Sequence, residues 1–206
     1  MTRVKVCGIT NLEDAWTAIE AGTDALGFVF VPNTPRYIEP DDANAIMRQI
    51  PPLVTTIGLF VNAGSTQIRD VAKNCRLDAI QLHGNESPEL CHSLNLRIIK
   101  AFRIKESEPL NILSKFQVDA YLLDTYVKGK LGGTGKTFDW NLACHAKKYG
   151  QIILAGGLNP SNVSTAINQV KPYAVDVSSG VEAEPGRKDP KKVRDFIRTV
   201  RETDLS

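Results

Sequence analysis

Residues 3–31 read RVKVCGITNLEDAWTAIEAGTDALGFVFV. A short β-rich run, 4–9, opens the stretch. Leu12, Ala15, Trp16 and Ile19 then fall at i, i+3, i+4 and i+7, the spacing that puts apolar side chains on one face of a helix. A second β-rich run, 25–31, closes it. Between the first two elements, Thr10-Asn11-Leu12-Glu13 fits a capping box, in which hydroxyl and carboxylate satisfy free amides of the first helical turn. Strand, helix and strand in this compass form a βα unit, whose crossover favours a parallel sheet.

The same unit recurs outward along the whole chain of 206 residues. Further strands are predicted at 55–61, 79–82, 97–103, 120–124, 151–155 and 174–177. Each is short, apolar and often β-branched, as strands buried on both faces are. Helical spacing returns in Ala43/Ile46/Met47/Ile50, Ile68/Val71/Ala72/Cys75, Val163/Ala166/Ile167/Val170 and Val193/Phe196/Ile197/Val200. The helices after strands four, five and six read less cleanly. Asn159-Pro160 and Asp189-Pro190 place an N-cap residue before a proline at the first helical position. Eight strand–helix units predict the α/β class and a single (β/α)8 TIM barrel, one domain over 1–206. An open doubly wound sheet also alternates and is the second choice. Nothing in the composition marks a linker.

Charge and composition narrow the partners. Lys and Arg number 25 against 23 Asp and Glu, for a net charge of +2. That balance argues against a nucleic-acid partner, because such proteins gather a basic excess on one face. No run approaches the roughly 20 apolar residues of a membrane helix, so no membrane partner is expected. The opening residues lack the pattern of a secretory signal. Four cysteines, Cys7, Cys75, Cys91 and Cys144, make no C-x-x-C pair, and a cytoplasmic location is expected. Cys91 and Cys144 sit on helices and should face the core. No His/Cys/Asp cluster has metal-ligand spacing, so no metal is expected.

In barrels of this kind chemistry gathers at the C-terminal ends of the strands. There the chain places Cys7-Gly8, Arg36, His83-Gly84, Asp124-Thr125, Gly156-Gly157 and Ser178-Ser179-Gly180. The last two groups lie after strands seven and eight, where barrels often bind phosphate. Bare glycines admit an anion to backbone amides, and helix N-termini favour it. The segment Gly132-Gly133-Thr134-Gly135-Lys136-Thr137 does not complete a P-loop, since that pattern needs glycine where Lys130 stands. It is expected to be a loop that closes over substrate. Position alone leaves the remaining groups open. Cys7 is a core cysteine or a thiolate base, Asp124 a loop cap or an acid, Arg36 a surface arginine or an anion clamp, and His83 a satisfied buried histidine or a site residue.

Taken together and in order, several motifs resemble the phosphoribosylanthranilate isomerase family of tryptophan biosynthesis. They are Lys5-Val6-Cys7-Gly8-Ile9-Thr10, Leu26-Gly27-Phe28-Val29-Phe30, Pro35-Arg36, Gly58-Leu59-Phe60-Val61-Asn62 and Gln81-Leu82-His83-Gly84. Leu123-Asp124-Thr125, the glycine-rich segment through Trp140, Ala155-Gly156-Gly157-Leu158, Asp176-Val177-Ser178-Ser179-Gly180-Val181-Glu182 and Pro185-Gly186 complete the set. Thr34 departs mildly from the serine usual before Pro-Arg. The resemblance implies an isomerase performing an Amadori rearrangement of an N-phosphoribosyl anthranilate, without a cofactor. By that resemblance Asp124 is the general acid and Cys7 the general base. Arg36 holds the anthranilate carboxylate, His83 and Asp176 stand near the substrate, and Gly156, Gly157, Ser178, Ser179 and Gly180 take its phosphate. The implied partner is a small phosphosugar, and the chain is expected to be a monomer or homodimer. Two rivals stand beside this reading. One is another phosphosugar barrel isomerase, such as that of the histidine pathway, whose pattern has aspartate where Cys7 stands. The other is a phosphate-binding barrel without catalysis.

Overall fold

Eight parallel strands close on themselves in the computed structural model, which describes residues 1–103, 110–124 and 140–205. They are β1 (Arg3–Cys7), β2 (Ala25–Val29), β3 (Thr55–Phe60), β4 (Ala79–Leu82), β5 (Ile98–Arg103), β6 (Ala120–Asp124), β7 (Ile152–Ala155) and β8 (Ala174–Val177). Each pairs with the next, and β8 returns to β1 with Lys5 opposite Asp176. That last ladder excludes the open sheet. The glycine-rich segment 132–137, expected to close over substrate, lies outside the described residues, as does Thr125.

Alternation along each strand sorts side chains to two cores. Val4, Val6, Leu26, Phe28, Ile80, Leu82, Leu154 and Val175 point outward and pack beneath the surrounding helices. Ile57, Ala79, Ile99, Ala101, Ala120, Leu122, Ile153, Ala155 and Ala174 point inward and fill the barrel. Lys5, Gln81 and Asp176 share this inward set and are buried. The barrel interior is therefore an apolar filling that also holds three buried polar side chains.

The outer layer holds α1 (Leu12–Glu20), α2 (Pro40–Met47), α3 (Ser65–Cys75), α4 (Pro88–Ser93), α5 (Trp140–Ala146), α6 (Val163–Val170) and α7 (Pro190–Thr203). After β5 the described residues form only a 3₁₀ segment, Leu110–Lys115, at one of the three places where the helical pattern reads less cleanly. Asp189 caps α7 as expected, accepting from the amides of Lys191 and Lys192. The other two caps differ. Asn11, not Thr10, caps α1 by accepting from Asp14 N at 2.8 Å, while the Thr10 hydroxyl donates to Gly186 O at 2.7 Å. At Asn159 the side chain accepts from Ser161 N in a turn, and α6 begins only after Asn162. The buried face of α1 is also rotated from the expected one. Asp14, Ala15 and Ala18 are buried, whereas Trp16 is 37% exposed. Asp14 turns inward because its carboxylate accepts from Asn11 Nδ2 and from Lys188 N.

Strand one ends two residues before the expected limit, and that shortening serves the site. Gly8 adopts φ +81°, and the amides of Gly8 and Ile9 both donate to Gly27 O. The chain turns away from the barrel immediately after Cys7.

Candidate active site

Cys7 faces the barrel mouth at the end of β1, and the bare glycine after it makes room for Arg36. A Cβ on Gly8 would stand 2.6 Å from Arg36 Cδ. Only glycine tolerates both that approach and the positive φ. The arginine stem therefore lies across the strand end. Its fork is not left loose, for Nε and Nη2 donate to the two Glu182 oxygens at 2.7 and 2.6 Å. Lys188 Nζ reaches the same carboxylate at 2.9 Å. Glu182 and Lys188 belong to a two-stranded hairpin after β8, β9 (Glu182–Glu184) and β10 (Arg187–Lys188), which turns at Gly186. A Cβ there would strike the Pro35 carbonyl, and Thr10 holds the Gly186 carbonyl. The hairpin thus joins the loops after β1, β2 and β8. Burial works against the Glu182 carboxylate, but Arg36 and Lys188 outweigh it and hold its pKa below the ordinary value. Glu182 in turn raises the pKa of Arg36 above its ordinary value, so the guanidinium stays charged. It keeps its Nη1 donors and one Nη2 donor for a second anion.

Asp124 ends β6, and His83 Nε2 lies 3.2 Å from its Oδ2. His83 Nδ1 lies 2.9 Å from Gln81 Nε2. With the amide donating, the ring carries its proton on Nε2 and points it at Asp124. Gln81 is fully buried on β4 and thereby orients the imidazole. Arg103 on β5 is the strand neighbour of Asp124 and lines the same space.

Asp176 sits one layer down on β8, with Lys5 Nζ 2.8 Å from its Oδ1. Both side chains are almost wholly buried. Asp176 is therefore committed to a lysine, though it also lines the mouth.

The glycine loops stand beside this group. Gly156 and Gly157 have φ of +83° and +70°, and a Cβ on Gly157 would meet nothing within 4 Å. Asn159 and Asn162 Nδ2 both donate to Gly157 O, fixing the loop. Ser178 leads into a single 3₁₀ turn, Ser179–Val181. The helix termini expected to sit directly behind both loops are thus one delayed helix, α6, and one short turn. Gly180 packs so closely on the loop after β7 that a Cβ would collide with the Leu158 carbonyl. Gly180→Ala should therefore part the two loops. Its expected cost is about 1–3 kcal/mol in urea unfolding, with at least a tenfold weaker inhibition by inorganic phosphate. Unchanged phosphate inhibition would count against this loop pair as the anion site.

All ten sequence-predicted residues, Cys7, Arg36, His83, Asp124, Gly156, Gly157, Asp176, Ser178, Ser179 and Gly180, line one cavity of about 390 Å³. Among the described residues, two buried side-chain atoms lack a protein partner, Gln81 Oε1 and Ser178 Oγ, and both residues line it too. A second cavity of about 400 Å³ opens at the other end of the barrel, among Arg3, Asp24, Leu53, Arg97 and Tyr173. The two are nearly equal in size, and the gathering of acid, thiol, imidazole and glycine loops makes the first the candidate site. Sequence reasoning gave no role to Lys5, Gln81, Arg103, Glu182 or Lys188. Its one usable signal was a lysine and a glutamine inside strands otherwise read as buried on both faces.

Comparison with known proteins gives a consistent result. The family model of N-(5'phosphoribosyl)anthranilate (PRA) isomerase matches residues 4–199. A relative from Geobacter sulfurreducens, an N-(5'-phosphoribosyl)anthranilate isomerase, is 53% identical across 98% of this chain and 99% of its own. A solved phosphoribosyl anthranilate isomerase from Thermotoga maritima is 47% identical with a TM-score of 0.90, over 98% of this chain and all of that one. Another, solved with reduced 1-(o-carboxyphenylamino)-1-deoxyribulose 5-phosphate, is 44% identical with a TM-score of 0.86, over 98% and 100% of the two chains.

Proposed function

The chain belongs to the N-(5'-phosphoribosyl)anthranilate isomerase family, and from that premise we propose how its residues divide the reaction. The enzyme works in tryptophan biosynthesis. It converts N-(5-phosphoribosyl)anthranilate to 1-(2-carboxyphenylamino)-1-deoxyribulose 5-phosphate by an Amadori rearrangement under general acid–base catalysis.

The ring-closed sugar must open before its carbon can be deprotonated. Asp124 gives a proton to the ribose ring oxygen, and the anthranilate nitrogen pushes the ring open to an iminium. Cys7 then removes the proton from the adjacent carbon. The resulting enolamine tautomerises to the ketone. The strands carrying acid and base, β6 and β1, are separated around the ring by β7 and β8. The sugar spans the mouth between them, and its phosphate lies on the loops of the two intervening strands, against Gly156, Gly157, Ser178, Ser179 and Gly180. Arg36 takes the anthranilate carboxylate with the donors that Glu182 leaves over, in the fork geometry that suits a planar anion. Charge-assisted hydrogen bonds and fixed placement supply the binding energy that orients the reaction.

The observation that carries this reading is the pair of partnerless buried polar atoms, Gln81 Oε1 and Ser178 Oγ, in the cavity that also gathers the acid, the thiol and the arginine. Buried polar groups are nearly always paired, and a hydroxylated, phosphorylated sugar offers partners to both. All of these residues come from one chain, so monomer and homodimer serve equally. The four free thiols suit a reducing cytoplasm.

The test follows the loss of anthranilate fluorescence with purified protein and freshly made phosphoribosylanthranilate. Absence of turnover would end the reading. Arg36→Ala should raise KM by about 10–100-fold, as expected for losing hydrogen bonds to a charged group, with a smaller change in kcat. Undiminished affinity for carboxylate-bearing product analogues would remove Arg36 from that role.

A further inference from the structure

Lys5 is the most conspicuous charge that this division of labour leaves unused. It sits mid-strand in β1, pointing into the barrel, and is 2% exposed. An ammonium is almost never fully buried unless it is paired. One partner is plain, since the β1–β8 register sets Lys5 opposite Asp176 and Nζ donates to Oδ1 at 2.8 Å. The second is Cys7, two residues along on the same inward face. Its strand neighbour is Gly27, and a Cβ on Gly27 would stand 2.7 Å from Cys7 Sγ and 3.0 Å from Lys5 Nζ. Sulfur and ammonium therefore share the space over the bare α-carbon. They lie within about 6 Å of each other, the range in which an opposite charge favours an ionised group. Burial pushes the lysine toward its neutral form, yet Asp176 and Cys7 outweigh it and raise the Lys5 pKa well above its ordinary value.

We infer that Lys5 is a positioning residue for the reaction's base: its buried ammonium supplies the counter-charge that lets Cys7 stand as a thiolate, and Asp176 shares and limits that charge. The inference rests on Cys7 as the base. Other charged groups face the thiol from neighbouring elements. Arg36 crosses from the loop after β2, but its fork is held away by Glu182, a carboxylate it shares with Lys188. His83 and Asp124 face it from β4 and β6 across the cavity. Lys5 is the cation inside the barrel wall, held where water does not screen it. Asp176 acquires a role in this arrangement apart from any contact with substrate, as the carboxylate that keeps the lysine in place.

Iodoacetamide alkylation of Cys7, followed by peptide mass spectrometry across a pH series, reads the thiolate directly and needs no turnover. Lys5→Met should slow Cys7 alkylation near neutral pH by about 10–100-fold, the effect of losing one close opposite charge. Lys5→Arg should retain most of the rate. Asp176→Asn should act in the opposite sense and speed alkylation, because the ammonium is no longer shared. The double variant, without the ammonium, should fall between Lys5→Met and wild type. It also answers the case in which Lys5→Met alone does not fold for want of a partner to Asp176, because it buries no lone carboxylate. In turnover, Lys5→Met should lose kcat by the same factor with KM held, and regain it in alkaline buffer. Wild-type alkylation rates in Lys5→Met or the double variant, or slowing in Asp176→Asn, would overturn the inference. Failure of the base reading looks different: Cys7→Ser would then turn over normally whatever the alkylation rates show.

Discussion

Cys7→Ser should lower kcat by about 10²–10⁴-fold, the usual worth of a positioned acid or base, while leaving affinity for a reduced product analogue within a few-fold of wild type. The two halves of that expectation have separate causes. Proton abstraction from carbon needs an anion at the end of β1, and a serine hydroxyl stays neutral where a thiol ionises. Binding, in the proposed division of roles, depends on other atoms: the Arg36 fork, the amides of the glycine loops and the unpaired hydroxyl of Ser178. Among the described residues, the Arg36 fork is held by Glu182 and the Ser178 hydroxyl is unpaired, so neither depends on the sulfur. The exchange also nearly preserves shape, and the bare α-carbon of Gly27 leaves room beside either side chain, so the fold should be unaffected. Thermal unfolding, calorimetric titration with the analogue and steady-state turnover measure the three quantities on one preparation. Turnover near wild type would remove the sulfur from the mechanism. Equal losses of binding and turnover would make it a packing residue.

The barrel was legible because its signal is repeated. Single helical periods are weak, but five of them between strand-like runs admit few architectures, and the β1–β8 ladder selected the closed one. What could not be read were features decided by contacts distant in sequence. Thr10 looks like the N-cap of α1 because Glu13 follows at capping-box spacing. Its hydroxyl instead goes to Gly186, 176 residues away, leaving Asn11 to cap. Trp16 matches the apolar period, yet α1 turns Asp14 inward to meet the β10 backbone, and the indole is left partly in solvent. Local propensity cannot foresee either outcome, because in both a distant polar group outbids the local rule.

The site divides along the same line. Which strand-end residues line the cavity was legible from position, since the fold says where the ends are. The groups that support them were not. Glu182 was visible only as one residue of a longer motif, and its hold on Arg36 requires the hairpin to fold back over the mouth. Lys5 and Lys100 show why a lysine in an apolar strand is an ambiguous signal. Both are buried and both are paired. Lys100 turns outward to Glu86 beneath the loop after β4, where it is structural, while Lys5 turns inward toward the chemistry. The one-residue parity of the strand decides between them, and parity follows from the strand register rather than from composition.

Asp124→Asn should cost about as much as the loss of the thiol, again roughly 10²–10⁴-fold in kcat, but by stopping an earlier step. Asparagine keeps the size of the side chain and can still accept from His83 Nε2, so the imidazole and Gln81 stay in place. It cannot give up a proton to the ring oxygen. The sugar then remains closed, and no iminium accumulates. In Cys7→Ser the ring still opens and the iminium waits for a base. Cyanoborohydride distinguishes these cases, because it reduces an iminium to a stable amine and leaves the closed glycosylamine alone. Trapped, ring-opened amine should therefore form above the enzyme-free rate with Cys7→Ser and at no more than that rate with Asp124→Asn. The opposite pattern would exchange the two roles. Equal trapping would mean that neither carboxyl nor thiol governs ring opening. His83→Gln should fall between, since removing the imidazole disturbs the orientation of the acid but leaves its proton.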